Sequence, residues 1–301
     1  MATSRCVAGF RHRAEASDAV ARRPPPTQKE NSMRVGFVGA GRMGRPMIAR
    51  LVDAGHTVRA VARNAEAHAA VTSAGATPVS SSTRAALDAE VLIVCVFSDD
   101  QVREICSDTA LLADLPAGAL IVLHTTGSPE TTTSVAAAAA RRGIGVVDAP
   151  VSGGPHDIAA GTLTVFLGGS DTDARRATEV LRTYADPILH VGELGSGQRV
   201  KLVNNVLFAA QIGLVADAVR LATHLGLSEP ALLSALPHAS SNGNAITRIA
   251  THGSVAKFRT TAAEFLRKDI AVADQVATAL GANLGLLETA IRAALPPPES
   301  I

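Results

Sequence analysis

The residues best suited to chemistry begin with the glycine-rich segment Gly39-Ala40-Gly41-Arg42-Met43-Gly44, which has the spacing GxGxxG. A predicted buried strand, residues 34–38, precedes it, and a predicted helix over residues 42–53 follows. In this context the first glycine allows a tight turn, the second lets the backbone approach a pyrophosphate, and the third lets the helix pack on the strand. The helix N-terminus adds partial positive charge. The segment therefore predicts a dinucleotide-binding loop, with a ligand-free strand–helix turn as the alternative.

The end of the second predicted strand, residues 57–62, bears on which dinucleotide binds. An NAD site usually has a carboxylate there, about 20 residues beyond the glycines, that binds the ribose diol. This chain instead has Arg63-Asn64, with no acidic residue from 57 to 64. A guanidinium can bind a 2′-phosphate through charge-assisted hydrogen bonds. The sequence favours NADP(H) over NAD(H), with Arg63 and Asn64 as cofactor contacts; a solvated Arg63 at a helix start is the alternative.

A second candidate is the turn Ser152-Gly153-Gly154, which comes shortly after the predicted strand 145–148. Exposed N–H groups and a hydroxyl in such a turn are suited to bind a carboxylate. An ordinary turn at the end of a strand explains the same residues equally well.

A third candidate is the pair Lys201 and Asn205, which are spaced i and i+4 and so share one face of a predicted helix. These polar side chains stand on a mostly apolar helix, where burial is costly. Desolvation lowers the pKa of a lysine toward the range of a general acid/base. The alternative is a lysine near the helix start whose ammonium group extends to solvent.

The elements that position these residues form two blocks. Strands alternate with helices up to about residue 194, which predicts a doubly wound parallel sheet covered on both faces. The predicted strands are 34–38, 57–62, 91–97, 119–123, 145–148 and 164–167. One long apolar helix follows over 198–225, and then only helical segments, at 229–236, 262–280 and 282–294. We predict an α/β domain over 33–194 and an all-α domain over 195–301.

Composition narrows the function classes. Of 301 residues, 47% are hydrophobic, only 3% are aromatic, and the formal net charge is +1. This balance favours a folded protein with no global attraction for nucleic acid or anionic membranes. The three cysteines lack metal-ligand spacing, which indicates reduced thiols, a cytoplasmic location and no metal site. No apolar stretch approaches the roughly 20 residues of a membrane span.

Residues 1–32 form a basic leader with six cationic and three anionic side chains. A disordered tail, or a start codon assigned too early, explains it best, because Met33 directly precedes the first predicted strand. The arginines also suggest a transit peptide, but Glu15 and Asp18 argue against one.

Four motifs in order resemble the β-hydroxyacid dehydrogenase family. They are the glycine loop continued by Arg45-Pro46-Met47, the segment 148–154 continued by Gly161-Thr162-Leu163, the segment 195–205, and Lys268-Asp269-Ile270. The resemblance covers roughly residues 33–280. It implies a Rossmann-type first domain, an all-helical substrate and oligomerisation domain entered by one long helix, and a homodimer or homotetramer.

The resemblance also implies the roles of individual residues. The turn 152–154 would hold the carboxylate of a small substrate, Lys201 would be the general acid/base, and Asn205 would orient the substrate. The further cofactor contacts it implies are Phe97, Thr126 and Lys268. The implied reaction is reversible hydride transfer between NADP(H) and a small β-hydroxy acid or semialdehyde.

The chain also departs from the family pattern. Pro155-His156-Asp157-Ile158 replaces the small residues usual after the turn, so no particular substrate is implied. His124 stands near a position where the family often has an acidic residue, and family members usually continue with more helix beyond residue 301. An imine reductase and a non-catalytic NADPH-binding module are the competing functions. Both generally lack the lysine found here at position 201.

Overall fold

The computed structural model describes residues 32–295. Strands and helices alternate up to Gly192, and from Ser196 to the last described residue, Leu295, only helices follow. This order confirms the predicted fold class, a Rossmann-type α/β region followed by an all-α region entered by one long helix. The predictions for the leader concern residues that, apart from Ser32, lie outside the described residues.

Nine strands form one sheet in the described part of the chain. They are β1 (Arg34–Val38), β2 (Thr57–Val61), β3 (Thr77–Val79), β4 (Val91–Val94), β5 (Leu120–Leu123), β6 (Gly145–Asp148), β7 (Val151–Ser152), β8 (Leu163–Gly168) and β9 (Ala185–Gly192). The spatial order is β3-β2-β1-β4-β5-β6-β8-β7, with β9 paired to β8. The first six strands are parallel, whereas β8 runs antiparallel to β6 and β7.

Three strands were not predicted, and β4 is three residues shorter than predicted. The short strands β3 and β7 and the longer β9 lie at the margins of the sheet, where Pro78 and Pro187 are tolerated because edge positions need fewer backbone donors. The strand predicted over 91–97 ends at Val94, and residues 95–97 form a loop instead. That loop faces the glycine-rich segment, because strand order reverses between β1 and β4.

Eight helices accompany the sheet in the described residues. They are α1 (Gly44–Asp53), α2 (Ala65–Ser73), α3 (Ser82–Ala86), α4 (Asp99–Ser107), α5 (Thr109–Asp114), α6 (Pro129–Ala140), α7 (Pro155–Ala160) and α8 (Asp171–Leu181). Every residue of β4 and β5 is buried, because helices cover both faces of the sheet and each face carries its own apolar cluster.

The helical region consists of α9 (Ser196–His224), α10 (Glu229–Ala235), a 3₁₀ turn (Leu236–His238), α11 (Asn244–His252), α12 (Val255–Ala279) and α13 (Leu286–Ala294). Its core forms around α9. Gly213 lets α13 approach closely, since a Cβ there would collide with the carbonyl oxygen of Ala290. The Arg259 guanidinium donates hydrogen bonds to the last carbonyls of α13, at Ala293 and Ala294, which anchors that helix.

The long helix α9 differs from one expectation. By length and composition alone it is apolar enough to cross a membrane, whereas the sequence analysis found no stretch of that kind. In this fold α9 is a core helix on which α12 and α13 pack, and 44% of its most apolar window is buried.

Candidate active site

The first turn of α9 is held against the end of β6 by Asp148. This carboxylate is fully buried and accepts hydrogen bonds from the N–H groups of Gly195, at 2.6 Å, and Gln198, at 2.7 Å. It replaces the N-cap side chain that Gly195 cannot supply. Burial raises the pKa of Asp148, and the two N–H groups oppose that change. Asp148 therefore determines where α9 begins relative to the sheet.

Gln198 connects the same turn of α9 to the loop that follows β5. Its buried side chain donates from Nε2 to the Thr125 carbonyl at 2.8 Å and accepts at Oε1 from the Gly127 N–H at 3.0 Å. The loop residue between them, Thr126, is therefore held next to the start of α9. Sequence reasoning missed both Asp148 and Gln198 as site residues, although each lies inside a quoted motif.

Lys201 lies one turn further along α9 and is partly buried. Burial is the main cause that lowers its pKa from 10.5 to about 8, and the charges of Lys268 and Arg248 act in the same direction. The nearby Asp269 carboxylate opposes this by favouring the protonated amine. An amine with a pKa of about 8 is suited to general acid/base chemistry close to physiological pH.

Asn205 is buried one turn beyond Lys201 and is fixed by two hydrogen bonds. Its Nδ2 donates to Asp269 Oδ2 at 2.5 Å, and its Oδ1 accepts from Asn204 Nδ2 at 3.0 Å. Asp269 Oδ1 is also buried and has no hydrogen-bond partner among the described residues, although Lys268 Nζ lies 2.9 Å away as an ion pair. One N–H of the Asn205 amide is left to donate to a ligand.

Lys268 joins α12 to the two loops at the edge of the sheet. Its Nζ donates to the carbonyl of Phe97 at 3.0 Å and to that of Thr126 at 3.3 Å. The ammonium also lies 5.3 Å from the centre of the half-exposed Phe97 ring, which packs edge-on against Phe265. The structure thus brings together three of the predicted cofactor contacts, Phe97, Thr126 and Lys268.

The glycine loop has the geometry that a dinucleotide requires. Gly39 has φ +109°, and a Cβ on Gly44 would lie 2.8 Å from the Phe37 ring, so both positions require glycine. A Cβ on Gly41 would meet nothing within 4 Å, so its backbone faces open space. No side chain caps the start of α1 at Met43. This loop, with Ala40, fits a pyrophosphate.

Two arginines near the predicted cofactor site, Arg42 in the glycine loop and Arg63 just after β2, have no ionic partner among the described residues. Arg42 and Arg63 are exposed, and within residues 32–295 neither makes a hydrogen bond or an ion pair. Asn64, also predicted to contact cofactor, uses its Oδ1 to accept the Ala67 N–H at 2.8 Å and so caps α2. The nearest following acid, Glu66, pairs with Arg45 at 3.0 Å. Arg63 therefore remains available to an anionic ligand.

The turn Ser152-Gly153-Gly154 differs from the prediction in one respect. Gly153 has φ +137° and no room for a Cβ beside Leu163, as a tight turn requires. The Gly154 N–H, however, already donates to Asp157 Oδ2 at 2.7 Å. It cannot also bind a substrate carboxylate while that bond persists. The Ser152 hydroxyl has no partner among the described residues.

His124 is buried, and both of its ring nitrogens are hydrogen-bonded within the protein. Its Nδ1 lies 2.6 Å from the Ala149 carbonyl, which can only accept, so Nδ1 carries the proton and Nε2 accepts from the Tyr184 hydroxyl at 2.8 Å. Burial lowers its pKa to about 4. This neutral histidine ties the end of β5 to the end of β6. Residues 32–295 contain no group of three or more His, Cys, Asp or Glu side chains placed to hold a metal ion.

The fold and this site define a nicotinamide-dependent oxidoreductase that acts on hydroxyl groups. Residues 34–192 match the family model described as the NAD binding domain of 6-phosphogluconate dehydrogenase. Residues 195–294 match the model described as NAD-binding of NADP-dependent 3-hydroxyisobutyrate dehydrogenase. The chain belongs to the β-hydroxyacid dehydrogenase family.

Individual relatives agree with this assignment. The 3-hydroxyisobutyrate dehydrogenase of Pseudomonas aeruginosa is 36% identical over 211 residues, 70% of either chain. The NAD-dependent L-serine dehydrogenase of the same species is 34% identical over 212 residues, 70% of this chain and 71% of that one. A solved structure of Mycobacterium tuberculosis 3-hydroxyisobutyrate dehydrogenase with L-serine is 33% identical, with a TM-score of 0.77, and the match covers 87% of this chain and 92% of that one.

Proposed function

We propose that this chain transfers hydride reversibly between NADP(H) and a small β-hydroxy acid or the corresponding semialdehyde, with Lys201 as the general acid/base. One observation carries the proposal: a partly buried lysine, whose pKa is lowered to about 8, stands one turn into α9. The hydrogen bonds of Asp148 and Gln198 place it next to both the loop after β5 and the end of β6.

The chemistry divides between cofactor and protein. Bound cofactor supplies the hydride in reduction and accepts it in oxidation. As the new C–H bond forms at the carbonyl carbon, protonated Lys201 donates its proton to the carbonyl oxygen. In the reverse direction neutral Lys201 takes the hydroxyl proton. The free N–H of Asn205 donates to the same oxygen, and the turn at Ser152 and Gly153 binds the substrate carboxylate.

The preference for NADP(H) rests on Arg63, which has no partner in the described residues and follows a strand end without a carboxylate. A guanidinium there would bind the 2′-phosphate. One relative is named as NAD-dependent, so the cofactor preference has to be measured for this chain.

We also propose that the protein is a homo-oligomer whose contact includes α9. Four apolar side chains on this helix are 48–68% exposed: Val203, Leu207, Leu214 and Leu221. Their spacing of four and seven residues places them on one face. Light scattering should give a multiple of 30.8 kDa, and Leu214→Glu with Leu221→Glu should give the monomer. A wild-type monomer, or partition into membranes, would contradict this.

We further propose a cytoplasmic location. The free thiols of the partly buried Cys95 and the buried Cys106 support it, and cell fractionation tests it.

To test the reaction, NADPH consumption is followed by absorbance in the presence of succinic, tartronic and methylmalonic semialdehydes and glyoxylate. NADH, a cyclic imine and Lys201→Ala are run in parallel. We expect turnover of an acid with NADPH, weaker turnover with NADH, and loss in the variant. Turnover of the imine alone would identify an imine reductase. Tight NADPH binding without turnover of any compound would identify a non-catalytic module.

A further inference from the structure

One cation near the turn Ser152-Gly153-Gly154 has no role in the proposed transfer of hydride and proton. Arg248 extends from α11, where its Nε donates to Asn244 Oδ1 at 3.3 Å. Its Nη2 lies 4.0 Å from Asp157 Oδ2, too far for a hydrogen bond, and its side chain is 37% exposed. The guanidinium is therefore positioned by its own helix but is not hydrogen-bonded to any acid among residues 32–295.

Asp157 relates Arg248 to the turn at Ser152. The same Oδ2 atom accepts the Gly154 N–H at 2.7 Å. Because both nitrogens lie near the same oxygen atom, the distance between Arg248 Nη2 and the Gly154 nitrogen cannot exceed the sum of their two distances to that oxygen. The charge of Arg248 also acts on Lys201, so the guanidinium lies within electrostatic range of the reacting end of the site. A small ligand that reaches from the turn to Lys201 passes close to Arg248.

A carboxylate bound at this turn needs a positively charged partner. With the Gly154 N–H already used, the Ser152 hydroxyl and the Gly153 N–H are the groups of this turn left to bind a carboxylate, and neither carries charge. Taking a carboxylate out of water is costly unless a charged group pairs with it.

The charges around the site also favour one carboxylate. Lys268 and Asp269 neutralise each other in an ion pair at 2.9 Å. The opposite charges of Arg248 and Asp157 also cancel each other. With histidine counted as neutral, protonated Lys201 then remains as one excess positive charge. A single bound carboxylate therefore brings the site to neutrality.

We propose that Arg248 binds the substrate carboxylate from the side opposite the turn, together with the Ser152 hydroxyl and the Gly153 N–H. The substrate would then connect the sheet region, which supplies the turn, with the helical region, which supplies the guanidinium. The substrate class is a small monocarboxylate that carries an aldehyde, or the corresponding hydroxy acid. This inference rests on the proposed function for the identity of the reacting group.

The test compares succinic semialdehyde with its methyl ester, which keeps the aldehyde and loses the charge. The proteins are the wild type, Arg248→Ala, Arg248→Lys and the matched control Arg175→Ala, an exposed arginine on α8. Arg248→Ala should lower kcat/KM for the acid by about 10- to 100-fold, mainly through KM, since hydrogen bonds to charged groups have that strength. Activity on the ester should fall far less than activity on the acid, Arg248→Lys should recover part of the loss, and added guanidinium should partly rescue Arg248→Ala.

Several results would overturn the inference. If Arg248→Ala loses activity equally on acid and ester, the arginine only supports the turn through Asp157. If it loses no activity on the acid, another group binds the carboxylate. Binding of succinate to the protein–NADP⁺ complex, measured by calorimetry, separates this inference from the proposed reaction. Succinate affinity that depends on Arg248, without turnover of any aldehyde, would refute the reaction and support the binding role.

Discussion

The pH dependence of turnover follows from the environment of Lys201. Burial lowers the pKa of this amine from 10.5 to about 8. At 1.36 kcal/mol per tenfold change, this corresponds to about 3 kcal/mol in favour of the neutral amine, and to a neutral fraction about 300-fold larger at pH 7. Reduction needs the protonated form, so its kcat/KM should fall above about pH 8. Oxidation needs the neutral form, so its kcat/KM should rise up to about pH 8.

Asp269 provides the perturbation that tests this reasoning. Its carboxylate favours the protonated form of Lys201, so Asp269→Asn should lower the pKa of Lys201. The fall in reduction and the rise in oxidation should then both move to lower pH. The assay measures kcat/KM in both directions from pH 6 to 10 at saturating cofactor, with Arg175→Ala as the control. Profiles that are unchanged in Asp269→Asn, or that move to higher pH, would refute the assignment of the titrating group.

Three further outcomes are expected. Arg63→Ala should raise KM for NADPH by about 10- to 100-fold and leave KM for NADH unchanged, because a charge-assisted hydrogen bond to a phosphate is lost; equal effects on both cofactors would contradict the assignment. Asp148→Asn should lower the free energy of unfolding in urea by about 2 kcal/mol, since an amide places N–H against N–H at the start of α9; an unchanged midpoint would contradict it. Lys201→Met should raise the free energy of unfolding by up to about 3 kcal/mol at pH 7. That gain should disappear between pH 8 and 10.5, where the folded and unfolded amines both become neutral.

The parts of the site that were predictable are short and local. The glycines at 39, 41 and 44 and the pair Lys201 and Asn205 lie within single elements, so spacing alone shows their shared face or turn. The helix α9 was predictable for the same reason, because one apolar stretch without proline can only be a long helix. Lys268 could be singled out only through the family resemblance.

The parts that were missed depend on contacts between distant segments. Asp148 meets α9 47 residues later, and Gln198 meets the loop after β5 across more than 70 residues. Nothing in the spacing of these residues indicates such contacts. Asp157 is different, because it lies three residues after Gly154 and has the spacing of a capping box. Its use of the Gly154 N–H could have been expected from the sequence.

The marginal strands β3 and β9 were missed for another reason. They contain Pro78 and Pro187 together with exposed polar side chains, so neither shows the apolar pattern of a buried strand. These segments form strands because they pair with β2 and β8, and the local sequence does not indicate that pairing.

The most direct test of the central claim follows the hydride itself. NADPH labelled with deuterium at either C4 position is incubated with the protein and the best carboxylate-bearing aldehyde, and the product is examined by NMR. We expect that one of the two labels enters the new carbinol carbon with the wild type. We also expect almost no transfer with Lys201→Met, although this variant binds NADPH with unchanged Kd. Transfer at the wild-type rate by Lys201→Met, or bound NADPH that labels no product of the wild type, would contradict the proposed function.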